Sequence, residues 1–294
     1  MHSDDAFFGH TVRILLSAVC LTATFVGAAS AQSRPAPPAG PPHSLVLPRE
    51  LVAGAPATLS VLDVSGRLVP GINIEASGGE KFRTDATGRA EFTAPASLGK
   101  FLIRVEGQMI SDSAPIVAAG DPSRNGAAGV QLTSAPEVLD VRNRFDLVGT
   151  GFRGYADENQ VAIGGKPAVI LAASPTSIVA LPDPGTSLGS AVLSVQAANQ
   201  GSATASAIVV AFDAIMPPGP LEVGQQANFT VRVRGTREPL KIEVANFSPT
   251  ILQLPGGNPL RLTTSGGETN EAQFAVVPLA AGKYLIRARL APTD

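Results

Sequence analysis

The pattern of apolar and polar residues changes repeatedly along this chain. From Leu45 onward, short runs of alternating apolar and polar residues are broken by Gly, Pro and Asn, and no stretch has a helical period. Such runs are typical of strands that bury one face. The pattern restarts about every 80 residues, which is the size of one small sandwich. We therefore predict an all-β chain of three β-sandwiches in series.

The composition shifts divide the chain into six predicted segments. Pro-rich and small polar stretches mark the tether and the linker, because they favour extended or turn conformations without a core. The segments are a signal peptide at 1–31, a Pro-rich tether at 32–43, a first sandwich at 44–118, a linker at 119–131, a middle sandwich at 132–212 and a third sandwich at 213–294.

The N-terminal segment has the features of an export signal. Arg13 is followed by an apolar run at 14–26, which is too short to span a bilayer. The small residues Ala29-Ser30-Ala31 predict cleavage before Gln32. The residues before Cys20 lack the order of a lipoprotein signal, so we expect no lipid anchor. No later run is long enough to span a membrane, and the mature protein is expected to be secreted, periplasmic or on the cell surface.

The first predicted sandwich contains four strand signals, at 58–64, 72–76, 84–92 and 101–105. In the 84–92 segment, Asp85 and Gly88 predict a hairpin turn. The run at 101–105 is expected to be the strand that completes the sheet of this sandwich. The T-D-x-x-G-x-A-x-F pattern of 84–92 resembles bacterial Ig-like and carboxypeptidase-regulatory-like modules, and this resemblance implies an Ig-like fold.

The middle predicted sandwich has glycines at defined points between its strands. Gly149 and Gly151 free the backbone at a strand end, Phe152 is placed to anchor the following loop in the core, and Gly164-Gly165 predicts a tight hairpin. The segments 145–152, 159–168, 177–182 and 193–195 together resemble an IPT/TIG domain. The resemblance implies a second Ig-like sandwich.

The third predicted sandwich is similar in sequence to the first. Strands are predicted at 229–234, 240–244 and 282–290, after a Pro-rich joint. The sequence G-K-Y-L-I-R at 282–287 is similar to G-K-F-L-I-R at 99–104. We interpret the two sandwiches as distant copies.

The composition excludes several classes of function. With 22 basic against 24 acidic residues, the formal net charge of −2 provides no field for nucleic acid, which we do not expect as a partner. The 44% of hydrophobic residues is too high for a disordered chain. After cleavage the chain has no Cys and a single His, His43, so it has no catalytic triad, Cys-His pair or zinc-His cluster.

Because the cleaved chain has no Cys and a single His, we predict no catalytic, cofactor-binding or metal-binding residue. We expect a protein that is not an enzyme. An enzyme with an all-carboxylate site remains a rival, because glycosidases need only two carboxyl groups. With two Tyr and no Trp, the chain lacks the aromatic residues of a sugar-binding cleft.

Acidic and glycine-rich clusters are the remaining candidates for ligand chemistry. Asp157-Glu158-Asn159 is the densest group of side-chain oxygens, and calcium binding there is left open beside the favoured interpretation of a solvated turn. Asp63 and Asp85 are interpreted as turn-capping residues. The glycines of 256–257 and 265–267 lack the lysine of a phosphate loop and are predicted to be hairpin tips.

Basic residues are concentrated in the third predicted sandwich. If Arg232 and Arg234 share an outward face with Arg287 and Arg289, they form a stripe that an anionic polymer could bind. We favour the alternative that these side chains keep a sheet face soluble and unpaired with other chains. The full set is Arg232, Arg234, Arg237, Lys241, Arg261, Arg287 and Arg289.

These observations predict a non-catalytic exported protein that acts in binding, adhesion or as a spacer through its Ig-like surfaces. The alternative is a polysaccharide-binding accessory module of a carbohydrate-processing system. The expected partner is an unidentified protein or cell-envelope polymer, and no cofactor is expected.

Overall fold

The computed structural model describes residues 43–119, 129–217 and 219–292, and this part of the chain is all-β, as predicted. Its helical element is a single 3-10 turn, Ala156–Glu158. The predicted signal peptide, most of the predicted Pro-rich tether and residues 120–128 of the predicted linker lie outside the described residues. In the described part of the chain, no helix is both long and apolar enough to cross a membrane.

The first sandwich is built from eight strands, which are β1 (Ser44–Val46), β2 (Leu51–Val52), β3 (Pro56–Leu62), β4 (Asn73–Ala76), β5 (Lys81–Arg83), β6 (Arg89–Thr93), β7 (Gly99–Val105) and β8 (Ser111–Val117). One sheet has the order β2-β8-β7-β4-β5, and β1, β3 and β6 form the opposite layer. Alternating side chains of both layers meet in one core, in which Phe92 stacks on Phe101 with the ring centroids 5.1 Å apart.

The strand predicted to complete the first sheet lies inside it. The segment Gly99–Val105 pairs with β4 on one edge and with β8 on the other. Strand β8 carries Asp112 and Pro115 among its apolar residues, and this composition gives only a weak alternation.

The middle sandwich contains β9 (Gln131–Ser134), β10 (Val138–Asp140), β11 (Phe145–Thr150), β12 (Asn159–Ile163), β13 (Lys166–Ala173), β14 (Ser177–Leu181) and β15 (Gly189–Ala197). Its core buries Phe152, as predicted, and Gly164 and Gly165 both have positive φ in the hairpin that joins β12 to β13. Strand β10 lies in a segment for which the sequence predicted no strand, and it pairs in parallel with the strand that follows β15 in the chain.

That next strand, β16 (Gly201–Ile215), is the longest in the described chain and runs from the middle sandwich into the third. The remaining strands are β17 (Ala227–Arg234), β18 (Lys241–Asn246), β19 (Leu252–Gln253), β20 (Leu260–Thr263), β21 (Glu271–Pro278) and β22 (Ile286–Leu290). Sheet β16-β17-β21-β19 faces sheet β20-β18-β22 over a third core. The described chain is therefore a series of two-layer Ig-like β-sandwiches.

Three predicted hairpins have the expected turns but join different strands. The turns at 84–88, 256–257 and 265–267 each connect strands that belong to opposite sheets. Turn residues show where the chain reverses direction. They do not show whether the chain returns beside the same strand or crosses the core to the other sheet, and these three predictions of hairpins were wrong for that reason.

Candidate functional site

The joint between the first and middle sandwiches is centred on a buried hydroxyl group. The side chain of Thr58 in β3 is fully buried, and its Oγ1 donates to the backbone O of Gly154 at 2.8 Å. The same Oγ1 accepts the N–H of Ala156 at 3.1 Å. A Cβ on Gly154 would lie 2.0 Å from the backbone O of Pro56, so only glycine permits this approach.

Further polar contacts surround this hydroxyl group. The hydroxyl of Ser174 donates to the backbone O of Glu50 at 2.8 Å. The N–H of Arg49 donates to Ser177 Oγ at 3.0 Å. Strands β3 and β13 also form a ladder contact here. These hydrogen bonds join groups of both sandwiches and therefore favour one orientation of the joint.

An apolar cluster closes the same joint. Its buried members come from both sandwiches and are Val46, Leu62, Leu171, Ala172 and Val179. Burial of apolar surface between two domains stabilises their contact in the same way as a core. The first joint is therefore an extension of the folded interior rather than a flexible link.

The second joint is the strand β16 itself. Its first part pairs with β15 of the middle sandwich, and its last residues pair with β17 of the third. Near the crossing, Val209 and Ala211 are buried in the middle core, whereas Val210 and Phe212 are buried in the third. Successive side chains of a strand point to opposite faces. One continuous strand therefore contributes to two cores, and rotation between the sandwiches would break both.

A glycine and a buried carboxyl group lie beside this crossing. Gly235 has a φ of 100°, and a Cβ on it would lie 2.2 Å from the backbone O of Val209. Asp140, at the end of β10, accepts the N–H of Arg142 at 3.0 Å and the amide of Asn143 at 2.5 Å. Burial raises the pKa of the Asp140 carboxyl group above its usual range, against the opposing effect of these hydrogen bonds.

In the calcium candidate, the side chains of Asp157 and Asn159 have different environments and different partners. Asp157 is 82% exposed and lies 3.4 Å from Arg89 of the first sandwich. Asn159 is buried, and its amide donates to the carbonyl groups of Arg153 and Tyr155, both at 2.8 Å. Within the described ranges, no group of three acidic, His or Cys side chains is arranged to hold a metal ion. Asp157 and Asn159 instead contribute to the first joint and to the loop beside it.

The turn-capping role predicted for Asp63 and Asp85 is confirmed. Asp63 Oδ1 accepts the N–H groups of Ser65 and Arg67 at 2.8 and 2.9 Å. Asp85 Oδ1 accepts the N–H and the hydroxyl of Thr87 at 2.8 and 2.7 Å. Partial burial opposes ionisation of Asp85, but the hydrogen bonds outweigh it and lower the pKa of the carboxyl group.

The basic residues of the third sandwich do not form one stripe. Arg232 and Arg234 are on β17, whereas Arg287 and Arg289 are on β22, in the facing sheet. The outward sides of two facing sheets point away from each other, so the four side chains have no common face. The hypothesis of a shared basic stripe was therefore wrong.

Most of these basic residues are paired with acidic residues. Arg232 pairs with Glu271, Arg234 with Asp213, Arg237 with Glu268 and Arg289 with Glu243. Arg287 lies over the ring of Phe247 with the guanidinium carbon 6.0 Å from the centroid. Local neutralisation by carboxylates is consistent with a solvated sheet surface.

Surface hollows and exposed aromatic rings give no sugar-binding cleft in the described parts of the chain. One shallow hollow is lined by small and apolar residues of β15 and β16, and another by the polar turn around Arg237 and Gly267. The exposed aromatic residues Tyr155 and Phe247 belong to different sandwiches. An aromatic-lined groove, which the polysaccharide alternative predicts, is therefore not formed by these residues.

The sequence predictions missed the residues that form both joints. Strand β3 has buried residues on both faces, including the polar Thr58 and Ser60. Burial of both faces distinguishes a strand that packs against two neighbours. The hydrogen-bond partners of Thr58 lie in the middle sandwich and are distant in the sequence, whereas the buried hydroxyl of Ser60 has no hydrogen-bond partner.

Comparisons with known proteins find only weak likenesses. Neither the protein-family models nor the curated protein sequences contain a match. Among solved structures, SGBP-B of the Bacteroides ovatus mixed-linkage glucan utilization locus, in complex with a mixed-linkage heptasaccharide, is 15% identical with a TM-score of 0.27, over 82% of this chain and 74% of that one. The IPT/TIG resemblance therefore stays a prediction.

Two further structures are similar over most of this chain. The full extracellular region of Plexin A4 is 9% identical with a TM-score of 0.32, over 84% of this chain and 32% of that one. The surface layer protein SbsC, domains 1-6, is 13% identical with a TM-score of 0.20, over 85% of this chain and 38% of that one. The chain thus spans about a third of the length of these two proteins. At these TM-scores the likenesses carry no argument about function.

Proposed function

We propose that this chain is an exported, non-catalytic protein whose Ig-like sandwiches act as a rigid spacer and present a surface for binding a partner. The observation that carries the proposal is the strand β16, whose side chains enter two cores. A spacer transmits position only if its joints do not bend, and inter-domain motion is the usual expectation when such joints are small and polar. Both joints of this chain have buried apolar contacts instead.

Four further features belong to the same proposal. They are removal of the signal peptide before Gln32, a location in the periplasm or outside the cell, the segment boundaries predicted from the sequence, and an IPT/TIG-like identity for the middle sandwich. Export is supported by the order of charged, apolar and small residues in 1–31. Expression in a bacterial host followed by N-terminal sequencing of the exported protein tests the cleavage site.

Spin-label distances test the rigid joints. The segment after the predicted cleavage site contains no Cys, so two engineered cysteines are the only labelling sites. Labels at Glu91 and Gln160 span the first joint, and labels at Gln160 and Gln273 span the second; all three residues are exposed. A pair at Lys241 and Gln273 within the third sandwich is the control.

The expected result is that both joint-spanning pairs give distance distributions as narrow as the control pair. Rigid coupling predicts this width because rotation at either joint would expose buried core residues. A joint-spanning distribution several times broader than the control would show a flexible link and would contradict the spacer role. Sedimentation of the labelled protein checks that the samples are monomeric.

A further inference from the structure

One edge of the third sandwich has no neighbouring strand in the described residues. Strand β22 is at the end of the sheet β20-β18-β22, and its pairing is with β18 alone. The unpaired edge of a strand presents N–H and C=O groups that can bind another strand.

The first sandwich contains the counterpart of this edge. The sequence G-K-F-L-I-R-V of β7 matches G-K-Y-L-I-R-A at 282–288. In the first sheet Arg104 is opposite Glu75, and in the third Arg287 is opposite Ala245. Both similar segments therefore pair antiparallel with one strand of their own sheet, which is β4 in the first sandwich and β18 in the third.

A backbone hydrogen bond shows that the register is the same. The N–H of Ser77 donates to the O of Leu102 at 2.8 Å, and the N–H of Phe247 donates to the O of Leu285 at 2.9 Å. Ser77 and Leu102 are each two residues from the Glu75–Arg104 pair. Phe247 and Leu285 are each two residues from the Ala245–Arg287 pair. The similarity of the two segments in sequence is thus also a similarity in position.

The difference lies on the far side of the two strands. In the first sandwich, β8 pairs with residues of β7 and places Ala114 and Ile116 in the core, with exposures of 1% and 7%. In the third sandwich, the described residues supply no strand at the corresponding place. Among the described residues, this edge of β22 is therefore uncovered, whereas β8 covers the equivalent edge of β7.

Side-chain burial differs between the two similar segments. Phe101 and Ile103 of β7 are 2% and 0% exposed. Their counterparts Tyr284 and Ile286 are only partly buried. An additional strand would cover these side chains and give them the burial of a complete sandwich.

The backbone groups of β22 are oriented for such a strand. The N–H of Ala291 donates to the O of Lys241, and Leu285 accepts from Phe247, so odd-numbered residues of this segment face β18. Residues in an antiparallel strand bond alternately to the two sides. Ile286, Ala288 and Leu290 therefore direct their N–H and C=O groups towards the open edge.

We propose that the open edge of β22 binds an extended segment of a partner protein, which adds a strand to the third sandwich. The bound segment has small or apolar residues at alternate positions, as β8 does, and these side chains enter the third core. Between them it has at least one acidic residue, because Lys283 and Arg287 are exposed along the outer side of this edge. This inference rests on the binding role proposed above and names its partner class.

A peptide from the chain itself is the first probe. A fluorescein-labelled peptide with the sequence of residues 110–118, I-S-D-S-A-P-I-V-A, carries the strand that fills the equivalent edge. With the mature protein, the expected result is a saturable rise in fluorescence anisotropy. Ser111 is opposite Arg104, the counterpart of Arg287, so a Ser111→Glu peptide should bind several-fold more tightly. A peptide with Ile116→Asp, which would place a charge in the core, should not bind.

Two proline variants of the protein locate the binding edge. Ala288→Pro removes an N–H that faces the open edge and should weaken peptide binding at least about tenfold. Thr263→Pro is the matched control, because Thr263 is on β20 at the opposite edge and the strand there bonds to β18 through Leu262 and Thr264. Circular dichroism and thermal unfolding of both variants verify that they fold.

Amide hydrogen exchange of the unaltered protein provides a readout that needs no variant. The N–H groups of Ile286 and Ala288 should exchange faster than those of Phe101 and Ile103, and the peptide should slow their exchange about tenfold or more. Absence of saturable binding, or binding that Thr263→Pro weakens as much as Ala288→Pro, would overturn the proposal.

A second copy of this chain is the alternative occupant of the edge. Sedimentation that shows a dimer, disrupted by Ala288→Pro and not by Thr263→Pro, would overturn the assignment to a partner protein. The spin-label distances across the two joints do not depend on this edge. Failure of the peptide experiments would therefore leave the spacer role intact, and flexible joints would leave the open edge intact.

Discussion

The hydroxyl of Thr58 in the first sandwich donates to the backbone O of Gly154 in the middle sandwich at 2.8 Å, and accepts the N–H of Ala156 at 3.1 Å. One side chain thereby satisfies two backbone groups at a buried contact between two domains. A buried backbone group without a partner costs free energy, so this relationship stabilises the docked orientation over all others.

Replacement of the Thr58 hydroxyl should loosen the first joint. Thr58→Val keeps the shape but leaves the O of Gly154 and the N–H of Ala156 unpaired, and we expect the free energy of unfolding to fall by about 1–3 kcal/mol. Thr58→Ser, which keeps the hydroxyl and removes only the methyl group, is the matched control and should lose much less. Urea denaturation measures both, and a loss in Thr58→Val no larger than that in Thr58→Ser would contradict the role of the hydroxyl.

The glycine at the second joint should tolerate no side chain. In Gly235→Ala the new Cβ would lie 2.2 Å from the backbone O of Val209, and the backbone of either β16 or the turn must move. Gly224→Ala is the control, because Gly224 has a similar positive φ but nothing within 4 Å of its Cβ. We expect the free energy of unfolding to fall by about 1 kcal/mol in the control, because alanine disfavours the left-handed conformation, and to fall clearly further in Gly235→Ala.

Thermal unfolding measures the stability of both variants. An equal loss of stability in Gly235→Ala and Gly224→Ala would contradict the close contact between Gly235 and Val209. The spin-label pair at Gln160 and Gln273 gives a second readout. Its distance distribution should broaden in Gly235→Ala and remain narrow in Gly224→Ala.

Two arginine–glutamate pairs on equivalent strands should differ in their contribution to stability. Arg289 binds Glu243, whose side chain is only 4% exposed, whereas Arg104 binds Glu75, which is 26% exposed. Arg289→Ala should cost about 2 kcal/mol, because it leaves a buried carboxylate with only the more distant Arg261, whose Nε is 4.0 Å away. Arg104→Ala should cost at most about 1 kcal/mol. Chemical denaturation of both variants measures the difference, and a larger loss for Arg104→Ala would contradict this ranking.

The stability of the protein should show the titration of Asp140. Burial raises the pKa of this carboxyl group in the folded state, so the folded protein binds the proton more tightly than the unfolded chain. The resulting stability is present below the unfolded pKa of about 3.9 and is lost as the pH rises through the higher folded pKa. Asp140→Asn removes this dependence.

Urea denaturation of the two proteins between pH 3 and pH 7 measures the effect. The stability of Asp140→Asn relative to the unaltered protein should rise with pH through this range and then become constant. Asn at this position keeps an oxygen that can accept the N–H of Arg142. A relative stability that falls with pH would show that hydrogen bonding outweighs burial at Asp140.

Local features of the fold were predictable from the residues. Alternation located β3, β7 and β17 because one face of each strand is buried in its own sandwich. Gly164-Gly165 located its hairpin because a two-residue turn requires positive φ at both positions. Asp63 and Asp85 were assigned to turn capping because a short carboxylate reaches the N–H groups that follow it.

The residues of the joints could not be assigned in the same way. The partners of Thr58 are about a hundred positions away in the chain, and no local pattern identifies them. The basic stripe failed as a prediction for a related reason. Alternation shows that Arg232 and Arg287 point outward, but it does not show from which sheet.

By itself, the sequence determined an all-β chain, its reversals of direction, and the likeness of the segments 99–104 and 282–287. The tertiary structure decided which sheet each strand joins, which strand is shared by two cores, and which of the two similar segments has a neighbour on both edges. The physical reason is the separation along the sequence of the residues that interact. Alternation and turn geometry depend on residues a few positions apart, whereas strand pairing and domain contacts depend on groups that only the folded chain brings together.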